Sequence, residues 1–229
     1  MDYNPIYIMY ATIIVIIIVL IDHLFFRKEA IITRKLKNKK GLKVSEVQNG
    51  NYITFKGKVV AGTSLLKAKL SNRSCVCYSV QLQEYSTENS YWSTASEQNI
   101  YQQFFLDVDG AYIMIVPNLM LYDANESYFS MENQKSPEKL DGLPFSFKYT
   151  LKEYEEDGYD WKANKKKYLR FREGIIEVGE IVVVKGIAQW KTINEEIEGY
   201  SGSKILTLTG TKKHKLIITG ITKVVNKTN

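Results

Sequence analysis

The side chains best suited to chemistry are few. Histidine, the usual proton shuttle near neutral pH, occurs twice, as His23 and His214. His23 adjoins a long apolar run, and His214 sits in the basic stretch Lys212-Lys-His-Lys215, which reads as a solvated turn. A Ser–His–Asp or Cys–His arrangement would have to be built on His214 alone. The two cysteines, Cys75 and Cys77, lie two positions apart. In a strand they share a face, where a mutual disulfide would be strained, so free thiols and a reducing compartment are expected. Together with His214 they give fewer soft ligands than a closed zinc site needs, and no metal or cofactor is expected. Asp107-Val-Asp-Gly110 invites a calcium reading, but the positions an EF-hand loop gives to Gly and Glu are Tyr112 and Asn118. Gly199-Tyr-Ser-Gly-Ser203 ends in Ser where a nucleophile elbow needs Gly. Phosphate-cradling and dinucleotide-binding glycine motifs are missing. An enzyme would be left with carboxylates such as Asp107, Glu173 and Glu177, so the reading leans away from catalysis.

The elements that would position these residues divide the 229-residue chain by charge and hydropathy. Residues 6–21 carry no charge, and apolar character resumes at Leu24, Phe25 and Phe26. A helix over residues 6–26 would extend roughly 31 Å, close to the hydrocarbon thickness of a bilayer. Eight Lys or Arg follow within residues 27–43: Arg27, Lys28, Arg34, Lys35, Lys37, Lys39, Lys40 and Lys43. The positive-inside rule then places residues 1–5 outside and the remainder in the cytoplasm, as expected for a single-pass protein of a bacterial inner membrane. The basic run is expected to lie on anionic lipid, with Ile31, Ile32 and Leu36 dipping into the interface. It also accounts for most of the formal net charge of +6. The rest is nearly neutral, which disfavours nucleic acid as a partner.

From residue 44 to 222 the pattern is mainly β, with 16 Tyr and 3 Trp suited to pleated, half-buried surfaces. A barrel-like or sandwich-like domain is expected, followed by a frayed polar tail at 223–229. Residues 52–60 alternate and are broken at Gly57, and residues 75–83 alternate clearly, with Cys75, Cys77 and Ser79 on one face and Val76, Tyr78, Val80 and Leu82 on the other. Asp109-Gly110 between two apolar runs signals a two-residue hairpin over 104–116 that Pro117 ends. Residues 123–142 read as a polar loop, 145–154 as another strand, and 153–172 as a solvated loop or hairpin of mixed charge. Further strands are expected in 175–190, 205–209 and 215–219.

Several segments, in order, resemble the GIDE domain, also called BAM for "beside a membrane", found in mitochondrial membrane-bound ubiquitin ligases and in many bacterial proteins. They are Gly57, Leu65-Leu-Lys-Ala-Lys-Leu70, Cys75-Val-Cys-Tyr78, Glu84 and Trp92. Phe105-Leu-Asp107, Gly110-Ala-Tyr-Ile-Met-Ile-Val-Pro117, Arg172-Glu-Gly-Ile-Ile-Glu-Val-Gly179 and Val182-Val-Val-Lys-Gly186 complete the set, which brings in Glu173. The resemblance implies a membrane-adjacent recognition or assembly domain of the bacterial type. No RING is expected, because two Cys and two His cannot supply its zinc ligands.

The function expected is therefore a membrane-anchored recognition module, non-catalytic on its own, whose partners are membrane lipid and another protein. Exposed aromatics such as Tyr91 and Trp92, or the 123–142 segment, would form the partner surface, unless Trp92 covers a barrel end. A ubiquitin-ligase-type component acting with a RING in trans, an enzyme built on carboxylates, and a homo-oligomeric membrane stress or defence effector remain as alternatives.

Overall fold

The structure is a computed structural model that describes residues 5–21, 27–37, 42–86, 88, 90–135, 143–156, 169–192 and 203–228. Its first elements are helices α1 (Pro5–Ile21) and α2 (Lys28–Leu36). Strands β1 (Tyr52–Val60), β2 (Leu66–Lys67), β3 (Ser74–Cys75), β4 (Cys77–Ser86), β5 (Tyr91–Tyr101), β6 (Phe104–Val108) and β7 (Ala111–Ile115) follow. Next come β8 (Asn125–Tyr128), β9 (Glu132–Gln134), helix α3 (Phe145–Glu156) and β10 (Leu169–Ile176). The described chain closes with β11 (Ile181–Thr192), β12 (Lys204–Thr209), β13 (Leu216–Thr219) and the short helix α4 (Thr222–Val225).

Five strands close into a barrel in the order β1-β6-β7-β12-β11, with β11 returning to β1. β7 and β12 are parallel and the other ring pairs antiparallel, the Greek-key connectivity of an OB-type barrel. Alternate residues of the apolar strands fill its interior, among them Ile53, Phe55, Leu106, Ile113, Val182, Val184, Leu206 and Leu208. β1 is continuous through Gly57 rather than broken there. A Cβ at that position would run into the Asp107 carbonyl oxygen and the Leu106 side chain, so glycine lets β1 and β6 close the ring. The expected hairpin is present: Asp109 and Gly110 both take positive φ, 51° and 86°, as a primed turn requires. β12 and β13 follow one another along the same edge of β11, and β8 adds in parallel to β13.

The chain between β1 and β6, together with β9 and β10, builds a second sheet in the order β5-β4-β10-β9. Helix α3 covers one face of it with Phe147 and Leu151, both fully buried against Tyr78, Val80, Leu82, Leu169 and Phe171. The strand expected at 145–154 is thus a helix. The alternation of Phe145, Phe147 and Tyr149 imitates a strand, yet Phe145 and Tyr149 are exposed, and the buried pair, Phe147 and Leu151, is spaced four residues apart as on one face of a helix. The Pro144 carbonyl accepts from Phe147 and Lys148 and starts the first turn. The expected loop at 123–142 contains the edge strands β8 and β9, too short and polar to alternate visibly.

A third cluster lies outside the barrel, where α2 and α4 pack Ile32, Leu36, Val224 and Val225 onto Val183 and Ile217. Two expectations are corrected here. Ile32 and Leu36 are fully buried on protein and do not dip into lipid, and the tail begins as a helix with two buried valines instead of fraying.

The membrane expectation is also corrected. α1 has 17 residues, about 25 Å of helix against a hydrocarbon layer of roughly 30 Å. Among the described residues no helix is long and apolar enough to cross a membrane. Residues 22–26, the far end of the expected span, lie outside the described residues. The single-pass anchor, and the topology and location drawn from it, are therefore not supported.

Candidate functional site

Strand alternation sorts the candidate residues onto the two faces of the second sheet. On the covered face, the carboxylate of Glu173 is buried and accepts the backbone N–H groups of Leu70 at 2.8 Å and Ser71 at 3.0 Å. It thereby fixes the β2–β3 turn, a structural use of the acid considered for catalysis. Cys75 and Tyr78 lie beside it, and both are buried. Burial, and then the charges of Glu173 and Glu177, push the Cys75 thiol up to about 11. Burial pushes the Cys77 thiol well above its usual range, and burial first, then Cys75 and Glu173, raises the Tyr78 phenol. Protonated, enclosed thiols are poor nucleophiles and poor metal ligands.

Cys75 and Cys77 do not share a face. The strand breaks at Val76, whose N–H donates to Ile176 and whose carbonyl accepts from Gln102. Cys75 and Tyr78 consequently face α3, while Val76 and Cys77 enter the barrel core. Both cysteines are free and buried.

The other expected residues are dispersed. Asp107 accepts from the Gly110 N–H at 2.8 Å and closes its own hairpin. Glu84 accepts from Ser93 near the end of β4. Gly179, at φ 93°, turns β10 into β11, and Gly186 faces the junction of β12 and β13. Within the basic run, Lys35 pairs with Glu126 at 2.6 Å, and Arg27, Lys28, Arg34, Lys37 and Lys43 are exposed. Lys39 and Lys40 lie outside the described residues. The tryptophan at the barrel end is Trp190, not Trp92: its indole N–H donates to the Val47 carbonyl at 2.8 Å. It lines an open groove of about 660 Å³ with Val44, Val108 and Tyr112. A second groove, of about 370 Å³, holds Arg73 with Glu132, Glu177 and Glu180. Among the described residues no group of His, Cys, Asp and Glu is arranged to hold a metal ion.

Trp92 belongs to the other face of the second sheet, the one turned away from α3. Cross-strand pairing builds this face in rows: Arg172, Gln81 and Glu97; then Arg170, Gln83 and Thr94; then Tyr85 and Trp92. The Arg170 guanidinium stacks 4.2 Å from the Trp92 ring centre, and Tyr85 packs on the same indole at 5.3 Å. Arg170 Nε donates to the Gln83 carbonyl oxygen at 2.7 Å, and the Gln83 amide NH₂ donates in turn to Gln81 at 3.0 Å and Thr94 at 3.2 Å. Arg172 donates from Nη2 to the Met131 carbonyl at 2.5 Å. Its Nε, and the side-chain oxygen of Asn99 on the same face, are buried without a partner among the described residues. Burial and the neighbouring charge of Arg172 lower the pKa of Arg170.

No family model, characterised protein or solved structure matches the chain.

Arg170, Gln81 and Gln83 escaped the sequence reading as candidates, and Arg172 entered it only as the first residue of a GIDE-like segment; both arginines were placed in a solvated mixed-charge segment. The signal was present in Leu169-Arg-Phe-Arg-Glu-Gly-Ile-Ile176, where apolar 169 and 171 alternate with Arg. The lysines just before it obscured this two-residue period.

Proposed function

We propose that this chain is a recognition or assembly module that holds a protein partner on the polar face of its second sheet, and that it is non-catalytic on its own. The observation that carries the reading is the platform of Trp92, Tyr85 and Arg170, fixed by stacking and by the Arg170–Gln83 bond. Aromatic side chains and arginine held in fixed rotamers lose little entropy on contact, which is why they dominate binding hot spots. The segments that resemble the GIDE domain, Trp92 and Arg172-Glu-Gly among them, support the same role. The buried, protonated state of both thiols and the structural engagement of Glu173 add to it.

The test is site-specific photocrosslinking of the full chain in cells that express it. A crosslinker at Thr94, exposed on the polar face, should give one discrete adduct that the Trp92→Ala variant loses. A crosslinker at Tyr149, exposed on α3, should not give that adduct. Equal adducts from both positions, or none from Thr94, would overturn the proposal.

A further inference from the structure

On the polar face, hydrogen-bond donors outnumber acceptors and positive charge outnumbers negative. Arg170 and Arg172 are two positions apart on β10, so their side chains leave the same face roughly 7 Å apart. The one carboxylate in these rows is Glu97 on β5, two strands away, or about 10 Å, and it already accepts from Ser79 at 3.0 Å. The relay Arg170 to Gln83 to Gln81 orients each amide oxygen toward the preceding donor. It ends on the Gln81 NH₂, directly cross-strand from Arg172. Two guanidiniums and an amide donor thus stand on one face of β10 and β4, with Arg170 reaching toward Trp92 on β5 and Arg172 toward Met131 beside β9. Among the described residues the Arg170 Nη groups make no bond, and Arg172 Nε has no acceptor.

We infer that the partner is recognised through carboxylates: an extended acidic peptide segment lies across β4 and β10 and places an Asp or Glu side chain between Arg170 and Arg172. This rests on the recognition role proposed above and names the chemistry of its partner. A carboxylate there accepts paired bonds from the planar guanidinium, gives Arg172 Nε an acceptor after a small side-chain shift, and relieves the repulsion between the two arginines. The Trp92 indole holds the Arg170 plane in place, so little order is lost on binding. Lysine, a point charge without the planar fork, would be a weak substitute.

The experiment measures binding of a fluorescent Glu-rich peptide to the full chain by anisotropy, beside the same peptide with Gln at every Glu and a phosphoserine peptide of equal charge. The Glu peptide should bind, the Gln peptide should not, and affinity should fall as salt rises. Arg170→Gln and Arg172→Lys should each weaken binding at least about tenfold, an effect of the order expected for a charge-assisted pair. Thr94→Glu, which adds a negative charge to the face without touching either arginine, should do the same, so the test survives if an arginine variant unfolds. Arg27→Gln with Lys28→Gln, at the N-terminus of the basic helix α2 outside the second sheet, should leave binding unchanged.

Absence of binding, or binding lost in the α2 variant and kept in the arginine variants, would overturn the inference. Tighter binding of the phosphoserine peptide would replace carboxylate with phosphate as the ligand and overturn it in that form. If Trp92→Ala abolishes the crosslinked adduct while the arginine variants keep it, the recognition role stands and the carboxylate chemistry falls. If Trp92→Ala also leaves the adduct intact, both fall.

Discussion

The ammonium group of Lys185 donates to the backbone carbonyl of Lys35 at 2.8 Å, and also reaches that of Lys37 at 3.1 Å. A barrel strand thereby supplies the C-terminal cap of α2, whose last carbonyls would otherwise lack partners. Thr54 on β1 adds a bond from its hydroxyl to the Leu36 carbonyl at 2.8 Å. Replacing Lys185 with Met, which keeps the aliphatic stem, should cost about 1–2 kcal/mol through loss of the charged bonds. Urea unfolding checks this, and an unchanged midpoint would show that the cap contributes nothing.

The Glu173 carboxylate makes a sharper case, because it is buried and both of its oxygens are used. In Glu173→Gln one oxygen becomes an NH₂ that must face the N–H of Leu70 or Ser71, donor against donor. The expected loss is about 2–3 kcal/mol. The measurement is denaturant unfolding of the variant beside wild type, and a loss below about 0.5 kcal/mol, within the usual range of surface changes, would contradict the role assigned to this acid.

The barrel was legible where one face of a strand is buried and the other is not. Residues 52–60 and the Asp109-Gly110 hairpin declare themselves because burial imposes a two-residue period and the turn imposes positive φ. β5 gave no such signal, since none of its residues is buried and so neither face is written in apolar residues. β10 was hidden because two of its positions on the polar face, 170 and 172, are charged. Composition showed that α1 is apolar, but the membrane expectation depended on a span reaching residue 26, and the described helix covers 17 residues of it, Pro5–Ile21. For α2 the basic residues suggested a lipid surface. The structure instead uses Lys35, Ile32 and Leu36 to attach the helix to the barrel.

The Glu126 carboxyl gives a pH prediction. Burial alone would raise its pKa, but hydrogen bonds and charge from Lys35, together with the Tyr128 hydroxyl, hold it below its ordinary value of 4.5. Because the folded-state pKa is depressed, the stabilisation is fully present above 4.5 and is lost as pH falls through the folded-state value. Glu126→Gln should therefore differ from wild type by up to about 1 kcal/mol at neutral pH, a modest figure because the Lys35 side chain is 41% exposed. The difference should shrink progressively below pH 4.5. A gap that stays constant into acid would mean that the ion pair is not its source.

Thiol reactivity tests the enclosure of the cysteines. With Cys75 pushed up to about 11 and Cys77 well above its usual range, neither should form thiolate at pH 8. A disulfide reagent should titrate both sulfurs rapidly in denaturant, and only at the rate of unfolding in buffer. Fast reaction of even one equivalent in the native state would show that one of the two enclosures, α3 over Cys75 or the barrel around Cys77, is open.

The last prediction concerns α1. The apolar side chains from Ile13 to Ile18 are exposed, at 44% to 58% of their full surface, so these six residues contribute nothing to the cores of barrel and sheet. Ile14→Lys with Ile17→Lys should then leave the unfolding free energy within about 0.5 kcal/mol of wild type, as surface substitutions do. The same change removes a run of contiguous apolar surface, which in water drives association, so self-association by sedimentation should decline in the variant. A large loss of stability would mean that α1 packs on the domain after all, and would require a different account of what covers its isoleucines.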